Sequence, residues 1–282
     1  MTAIRPSFGR FASFALLLLL AVLALGLTGC DRIKSASRSL SRVIHPGKEK
    51  AHPAPHTPNT RASGPRLAII LDDLGSDRAD ADVIFSLPYP LTVSILPSHA
   101  HSAEIAEEAH RRGYQVMLHL PMQALGNETA ESLELRPGMS ASEISQVLVG
   151  MLDGVPHAVG VNNHQGSRAT SDAALMAELM PLLRARNLFF IDSRTTAATV
   201  AFDTAQRDGV RCAFRNVPFL DDVQDVAAIR SQLEHAIHSA LEKGQAIAIG
   251  HPHPETLRAL RELLPTAESQ GVRLVHASDL VR

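Results

Sequence analysis

Leu67-Ala68-Ile69-Ile70-Leu71-Asp72-Asp73-Leu74-Gly75 is the stretch that decides the fold, because five uninterrupted apolar residues run straight into two carboxylates. A segment that is apolar at every position reads as a strand buried on both faces, as in a parallel sheet wrapped by helices. Four more runs repeat the arrangement. Val116-Met117-Leu118 leads into His119, and Val159-Gly160-Val161 into Asn162-Asn163-His164. Leu188-Phe189-Phe190-Ile191 leads into Asp192, and Ala246-Ile247-Ala248-Ile249-Gly250 into His251. The carboxyl ends of such strands gather at one rim, where parallel α/β proteins place their chemistry. Asp72, Asp73, His119, His164, Asp192 and His251 are therefore expected to converge, and that is the composition of a metal-hydrolase site.

The segments between these runs read as helices. Residues 77–86, 102–112, 140–152, 172–186, 226–243 and 254–264 are helical in pattern, with Ser140 and Glu143 at capping-box spacing and Gly113 and Gly244 as stops. Residues 92–96, 210–214 and 272–275 supply the remaining strands. Seven or eight strands alternating with helices over residues 66–282 point to a single (β/α) barrel, irregular or incompletely closed; a doubly wound open sheet is the alternative.

Residues 1–30 are a targeting segment. Arg5 and Arg10 precede an uncharged stretch rich in Leu and Ala that ends at Leu27-Thr28-Gly29-Cys30. Those last residues resemble the lipobox of bacterial lipoproteins, which implies cleavage that leaves Cys30 N-terminal and acylated; an uncleaved signal anchor is the other reading. Residues 31–65 carry Pro46, Pro53, Pro55 and Pro58, a basic excess and almost no large apolar side chain. They read as a disordered tether that lets an exported domain stand off the bacterial membrane from the periplasmic side.

Composition excludes other classes. The 282-residue chain is 45% hydrophobic with a net charge of −2, 4% aromatic residues and no Trp, so it lacks the basic, aromatic-bearing face of a nucleic-acid-binding protein. Cys212, in an apolar run without a neighbouring histidine, reads as a buried bystander, and no Gly-x-Ser-x-Gly elbow is present.

The adjacent Asp72 and Asp73 read either as a cation ligand beside a substrate-facing carboxylate or as helix-capping residues. His99 and His101 follow the second strand, and His99 is placed on a possible substrate rim. His253, flanked by Pro252 and Pro254, is an acid, a fourth ligand or a rigid turn. Asn163, Arg168 and Arg194 belong to rim motifs; the two arginines hold a substrate carboxylate, pair with Asp72, or are exposed loop residues.

Taken together, Ile70-Leu71-Asp72-Asp73-Leu74-Gly75, His119-Leu120-Pro121-Met122, Gly160 through Ser167, Asp192-Ser193 and Gly250-His251-Pro252-His253 resemble the divergent polysaccharide deacetylase family, a branch of the NodB-homology, carbohydrate esterase 4-like deacetylases. The resemblance covers nearly all of residues 66–282. It implies a metal-dependent N-deacetylase of a cell-envelope polysaccharide, with Asp72 as general base and Asp73 as metal ligand. The usual His-x-x-x-His pair is broken, since Gln123 stands four residues after His119. His164 is the substitute, so that Asp73, His119 and His164 would hold a divalent ion, expected to be Zn²⁺. His251 is implied as general acid, with Asp192 orienting it or fixing its charge. A catalytically silent module that binds glycan or an envelope protein, and a metal hydrolase cutting an ester or another amide, are the alternatives.

Overall fold

The computed structural model describes residues 64–126 and 129–282. The targeting segment, Cys30 and nearly all of the tether lie outside the described residues. Eight strands alternate with seven helices among them: β1 (Arg66–Leu74), α1 (Arg78–Ile84), β2 (Thr92–Ile95), α2 (Ser102–Arg111), β3 (Gln115–Met122), α3 (Ala141–Asp153), β4 (Gly160–Gln165), α4 (Ala173–Ala185), β5 (Phe189–Asp192), α5 (Ala201–Arg207), β6 (Cys212–Phe214), α6 (Val226–Lys243), β7 (Gln245–Gly250), α7 (Pro254–Ser269) and β8 (Arg273–Val275). The strand order is β6-β5-β4-β3-β2-β1-β7, every pairing is parallel, and short β8 pairs with the start of β1.

That order runs monotonically from β6 to β1, without the reversal that defines a doubly wound sheet. The result is a nearly closed (β/α) barrel. Its remaining seam, between β6 and β7, is bridged by irregular chain: Asn216 N–H donates to the Ile247 carbonyl (3.3 Å), Ile247 N–H to Asn216 Oδ1 (2.8 Å) and Leu220 N–H to the Ile249 carbonyl (2.9 Å).

Strand parity sets two apolar layers. Ala68, Ile70, Met117, Phe189, Ile191, Ile247, Ile249 and Val275 fill the barrel interior. Leu67, Ile69, Leu71, Leu118, Val161, Phe190 and Ala248 face the helices in a second, larger cluster. Alternation then carries Asp72, His119, Asn162 and His251 onto the inner face at the carboxyl rim, in line with the interior set. The sequence reading ended the strands too early. β1 continues through both aspartates, and β3 and β4 extend to Met122 and Gln165. Helix α5, between β5 and β6, had no recognisable pattern.

Gly160 is where the interior is tightest. A Cβ built there would lie 2.4 Å from the fully buried Phe189 ring. Gly160→Ala is expected to destabilise the domain by about 1–3 kcal/mol, the usual cost of overpacking. Urea unfolding measures this, and an unchanged midpoint would mean that the ring moves aside freely. Cys212 is buried, and burial, with Asp192 and Asp203 nearby, pushes its thiol up to about 11.

Candidate active site

Strands β1, β3, β4 and β7 build the site. At the end of β1, register with β2 shifts between Leu71 and Leu74, and Asp73 adopts φ 60°. Asp tolerates this left-handed conformation better than most residues. The kink lets both carboxylates of the pair serve the rim, where an unbroken strand would turn one away.

Asn162 on β4 is the hub. Its Nδ2 donates to both Asp72 oxygens (2.9 and 3.1 Å) and lies 3.2 Å from Ser193 Oγ. Its Oδ1 accepts from Ser94 Oγ (2.5 Å) and faces His119 Nδ1 at 2.9 Å. With Nδ1–H committed to that oxygen, the free ring nitrogen of His119 is Nε2, the arrangement by which outer contacts orient a metal-binding imidazole.

His119 Nε2 lies 3.1 Å from Asp73 Oδ1, and His164 Nδ1 lies 3.0 Å from the same oxygen. Yet Asp73 Oδ1 is buried and in hydrogen-bond alignment with neither ring. Three donor atoms thus crowd one point without bonding one another. A tetrahedral zinc with bonds of roughly 2.0–2.1 Å spaces its ligand atoms about 3.3 Å apart. Both separations from Asp73 Oδ1 fall near that value and the three atoms lie within 4.8 Å of one another, so Asp73, His119 and His164 fit the protein side of a divalent-cation site.

The electrostatics divide the two aspartates. Burial raises the Asp72 carboxyl above its ordinary value, against the pull of His119, His251 and the Asn162 amide. Burial acts on Asp73 as well, but His119 and His164 overwhelm it and hold that carboxyl far below the usual range. Burial would lower His119, but Asp72 and Asp73 raise it overall, so proton and cation compete for this ring.

His251 Nε2 stands 3.8 Å from Asp73 Oδ2. Its Nδ1 meets Asp221 Oδ1 at 2.9 Å, and its main-chain N–H donates to Asp221 Oδ2 at 2.6 Å, an oxygen that also accepts from the Thr256 hydroxyl (2.7 Å). Burial alone would lower the imidazole, but Asp221 above all, with Asp72 and Asp73, pushes it up to about 9. Burial would raise Asp221, and the His251 and Thr256 contacts reverse that.

Asp221 therefore takes the place expected for Asp192. On β5, Phe189 and Ile191 point inward, so Asp192 points outward; its Oδ2 accepts from Thr199 Oγ1 (2.8 Å) and Phe202 N–H (3.3 Å) at the start of α5. Asn163 is likewise corrected as a rim contact. It lies on the outer face of β4, 1% exposed, accepting from Ser193 N–H (2.9 Å) and donating to the Gln165 carbonyl (2.8 Å). Arg194 does not pair with Asp72; its guanidinium lies over the Phe214 ring. Arg168 is exposed, and its main-chain N–H reaches the Gln123 carbonyl (3.1 Å). Gln123 anchors loops through its main chain, accepting from Arg168 and Ala169 and donating to Leu135. His99 sits at the rim between Ser76 Oγ (2.6 Å) and Glu131 Oε2 (3.3 Å). His253 occupies the N-cap of α7, 3.0 Å from the Gln224 amide nitrogen, with its ring 5.8 Å from that of His251. Asp221, His251 and His253 form a second cluster of ligand-type atoms, but Asp221 is already spent on His251 and Thr256.

Known proteins share this architecture. The chain is 41% identical over 216 residues to the uncharacterized protein YibQ of Escherichia coli (strain K12), a match spanning 77% of this chain and 67% of the relative. The crystal structure of the uncharacterized protein ATU2773 from Agrobacterium tumefaciens C58 superimposes with a TM-score of 0.75 at 24% identity, covering 79% of this chain and 92% of that one. The catalytic domain of a peptidoglycan N-acetylglucosamine deacetylase from Eubacterium rectale is similar in fold, with a TM-score of 0.50, 15% identity and coverage of 80% and 95%. The model of the divergent polysaccharide deacetylase family matches residues 69–281, nearly the whole barrel, and the chain belongs to that family.

Proposed function

We propose that this domain is a divalent-metal-dependent hydrolase, with zinc the expected ion, that removes the N-acetyl group from a cell-envelope polysaccharide. The observation that carries the reading is Asp73 Oδ1, buried between two imidazole nitrogens at 3.0 and 3.1 Å without a hydrogen bond. Membership of the family supports a glycan substrate. The basic and apolar pattern of residues 1–30 supports an exported chain held at the envelope by lipid on Cys30.

Asp73, His119 and His164 would hold the ion. Bound there, it would supply Lewis acidity toward the acetyl carbonyl and would make the attacking water more acidic. Asp72 then takes the proton released as the water oxygen bonds to the acetyl carbon, a task suited to a carboxylate whose burial has raised its proton affinity. His251, with Nδ1 fixed on Asp221, keeps Nε2 free to protonate the sugar nitrogen as the C–N bond breaks. Acetate and the free amine leave, and no acyl-enzyme forms.

Asp221 serves here as a positioning residue. Asp221→Asn is expected to lower kcat about 10²-fold, toward the low end of what a positioned acid contributes, with metal content unchanged. Steady-state kinetics beside elemental analysis would check this, and an unaltered kcat would remove His251 from the role of acid.

The reading itself is tested by metal stoichiometry of the intact purified chain and by acetate release from an N-acetylated glycan. Near one zinc per chain, with acetate released only when it is present, is expected. A chain that stays metal-free in added zinc would favour a glycan-binding module on the same rim.

A further inference from the structure

The seam beside β7 decides how firmly the His251 ring is held. On one side, parallel register with β1 runs up to the pair Leu71 and Gly250, directly before His251. On the other side no strand among the described residues pairs with β7, and residues 216–221 close the gap instead. That segment comes so near that a Cβ built on Gly250 would lie 3.3 Å from Asp221 Oδ2 and from Leu220 Cβ. Its side chains alternate as a strand's would, with Leu220 in the helix-facing cluster and Phe219 against the barrel interior. Phe219 is half-buried, and its ring lies 5.8 Å from the His251 imidazole at an interplanar angle of 31°. This is within the roughly 4.5–7 Å over which aromatic rings attract one another.

Arg215 fixes that ring in turn. Its guanidinium carbon stands 3.9 Å from the Phe219 centroid, stacked on the face. Its donors are spent on main-chain carbonyls: Nε on Ser193 (2.8 Å), Nη1 on Val217 (2.5 Å) and Nη2 on Arg194 (3.1 Å). Those anchors join the end of β5 to the seam, so the support behind Phe219 is main chain. The acid needs such support. Asp221 fixes one corner of the imidazole, at Nδ1, but the torsion that turns a histidine ring is broad, and rocking about that corner carries Nε2 with it. Proton delivery requires Nε2 within hydrogen-bond reach of the departing nitrogen. A flat neighbour restricts the rocking where one hydrogen bond does not. His253 gives a second flat contact, 5.8 Å from His251 at 41°, and is itself held by the Gln224 amide, 3.0 Å from its Nε2.

We infer that Phe219, backed by Arg215, is a positioning residue that sets the plane of the His251 imidazole. This rests on His251 serving as the acid of the proposed function and adds a second device to Asp221, which sets the hydrogen bond of the ring.

Two substrates of the intact, zinc-supplied chain separate aim from general damage. An N-acetylated chitotetraose releases an amine that must be protonated as the C–N bond breaks, whereas 4-nitrophenyl acetate releases a phenolate that needs no proton. Phe219→Leu keeps an apolar side chain and removes the plane; the ratio of kcat for the glycan to kcat for the ester should fall about ten-fold, part of the roughly 10²-fold that a misplaced group can cost. Arg215→Lys, which keeps charge and loses the planar fork, should lower the ratio several-fold; melting curves check that both variants fold. In a His251→Ala background no imidazole remains to be aimed, and Phe219→Leu should change the ratio no further. A readout without turnover is the downfield proton resonance of His251 Nδ1–H, identified by its absence from His251→Ala: it should be sharp in wild type and broadened in Phe219→Leu. Equal losses on both substrates, a loss that persists in the His251→Ala background, or a resonance as sharp in Phe219→Leu as in wild type overturns the inference. Absent acetate release sinks the hydrolase reading, and a ratio indifferent to His251→Ala sinks the acid; in either case a resonance broadened by Phe219→Leu still supports the positioning, and an unchanged one overturns it.

Discussion

Asp72→Asn is expected to cut kcat by roughly 10²–10⁴-fold, the range a positioned general base contributes, with bound metal retained. The substitution keeps the shape of the side chain, and Asn162 Nδ2 can still donate to the remaining amide oxygen, so the hub stays assembled. What disappears is the proton acceptor. Stability should move the other way. A carboxyl whose folded pKa is raised costs stability above its unfolded value, because folding then disfavours the charged form. Removing that charge is expected to leave the melting temperature at pH 7 unchanged or higher. Residual turnover within a few-fold of wild type would dismiss Asp72 as base. A loss of metal would exchange its role with that of Asp73.

This opposition between activity and stability is what a buried reacting carboxylate produces. The interior layer below Asp72 is wholly apolar, with Ile70 and Met117 fully buried. The carboxylate sits directly above it and, among the described residues, only Asn162 donates to it. One well-aimed amide holds the side chain still without satisfying it so completely that it ceases to accept protons.

The sequence made the barrel legible because buried parallel strands are apolar throughout and end on polar residues, and that pattern located the carboxyl rim to within a few residues. The same uniformity hid which face each residue takes. In Phe189-Phe190-Ile191-Asp192 every position before the aspartate is apolar, so nothing marks the inward side, and Asp192 was placed on the wrong face. Asp221 was missed for the opposite reason: it lies in irregular chain bridging the β6 and β7 seam, where no periodicity exists to register it. Asn162 was visible within its motif but carries no charge, and its importance lies in bonding four other side chains from four strand ends. The candidate ligand group was readable because imidazoles and carboxylates end the apolar runs; parity turns His119 and His164 inward, whereas Asp73 reaches them only through the φ 60° kink that no pattern in the sequence marks.

Asp73→Asn is expected to abolish metal binding and with it catalysis, lowering kcat/KM by at least about 10³-fold if the ion supplies several kcal/mol to the transition state. Asn is the right probe because it also tolerates the left-handed turn at φ 60°, so the loss cannot be laid on backbone strain. Two stability readouts separate ligand loss from general damage. Zinc at one hundred times its Kd stabilises a binding protein by about 2.7 kcal/mol; wild type should show that gain in denaturant unfolding, and the variant should not. In metal-free protein the Asp73 carboxyl is held far below its ordinary range, His119 and His164 outweighing the opposing burial. A depressed acid contributes stability above its unfolded pKa and loses it as pH falls. Metal-free Asp73→Asn should therefore be less stable than metal-free wild type at neutral pH, and the gap should close on acidification below about pH 4. A variant that still gains stability with zinc would leave His119 and His164 coordinating with a different carboxylate, and Asp72, 3.6 Å from His119 Nε2, is the one placed to supply it.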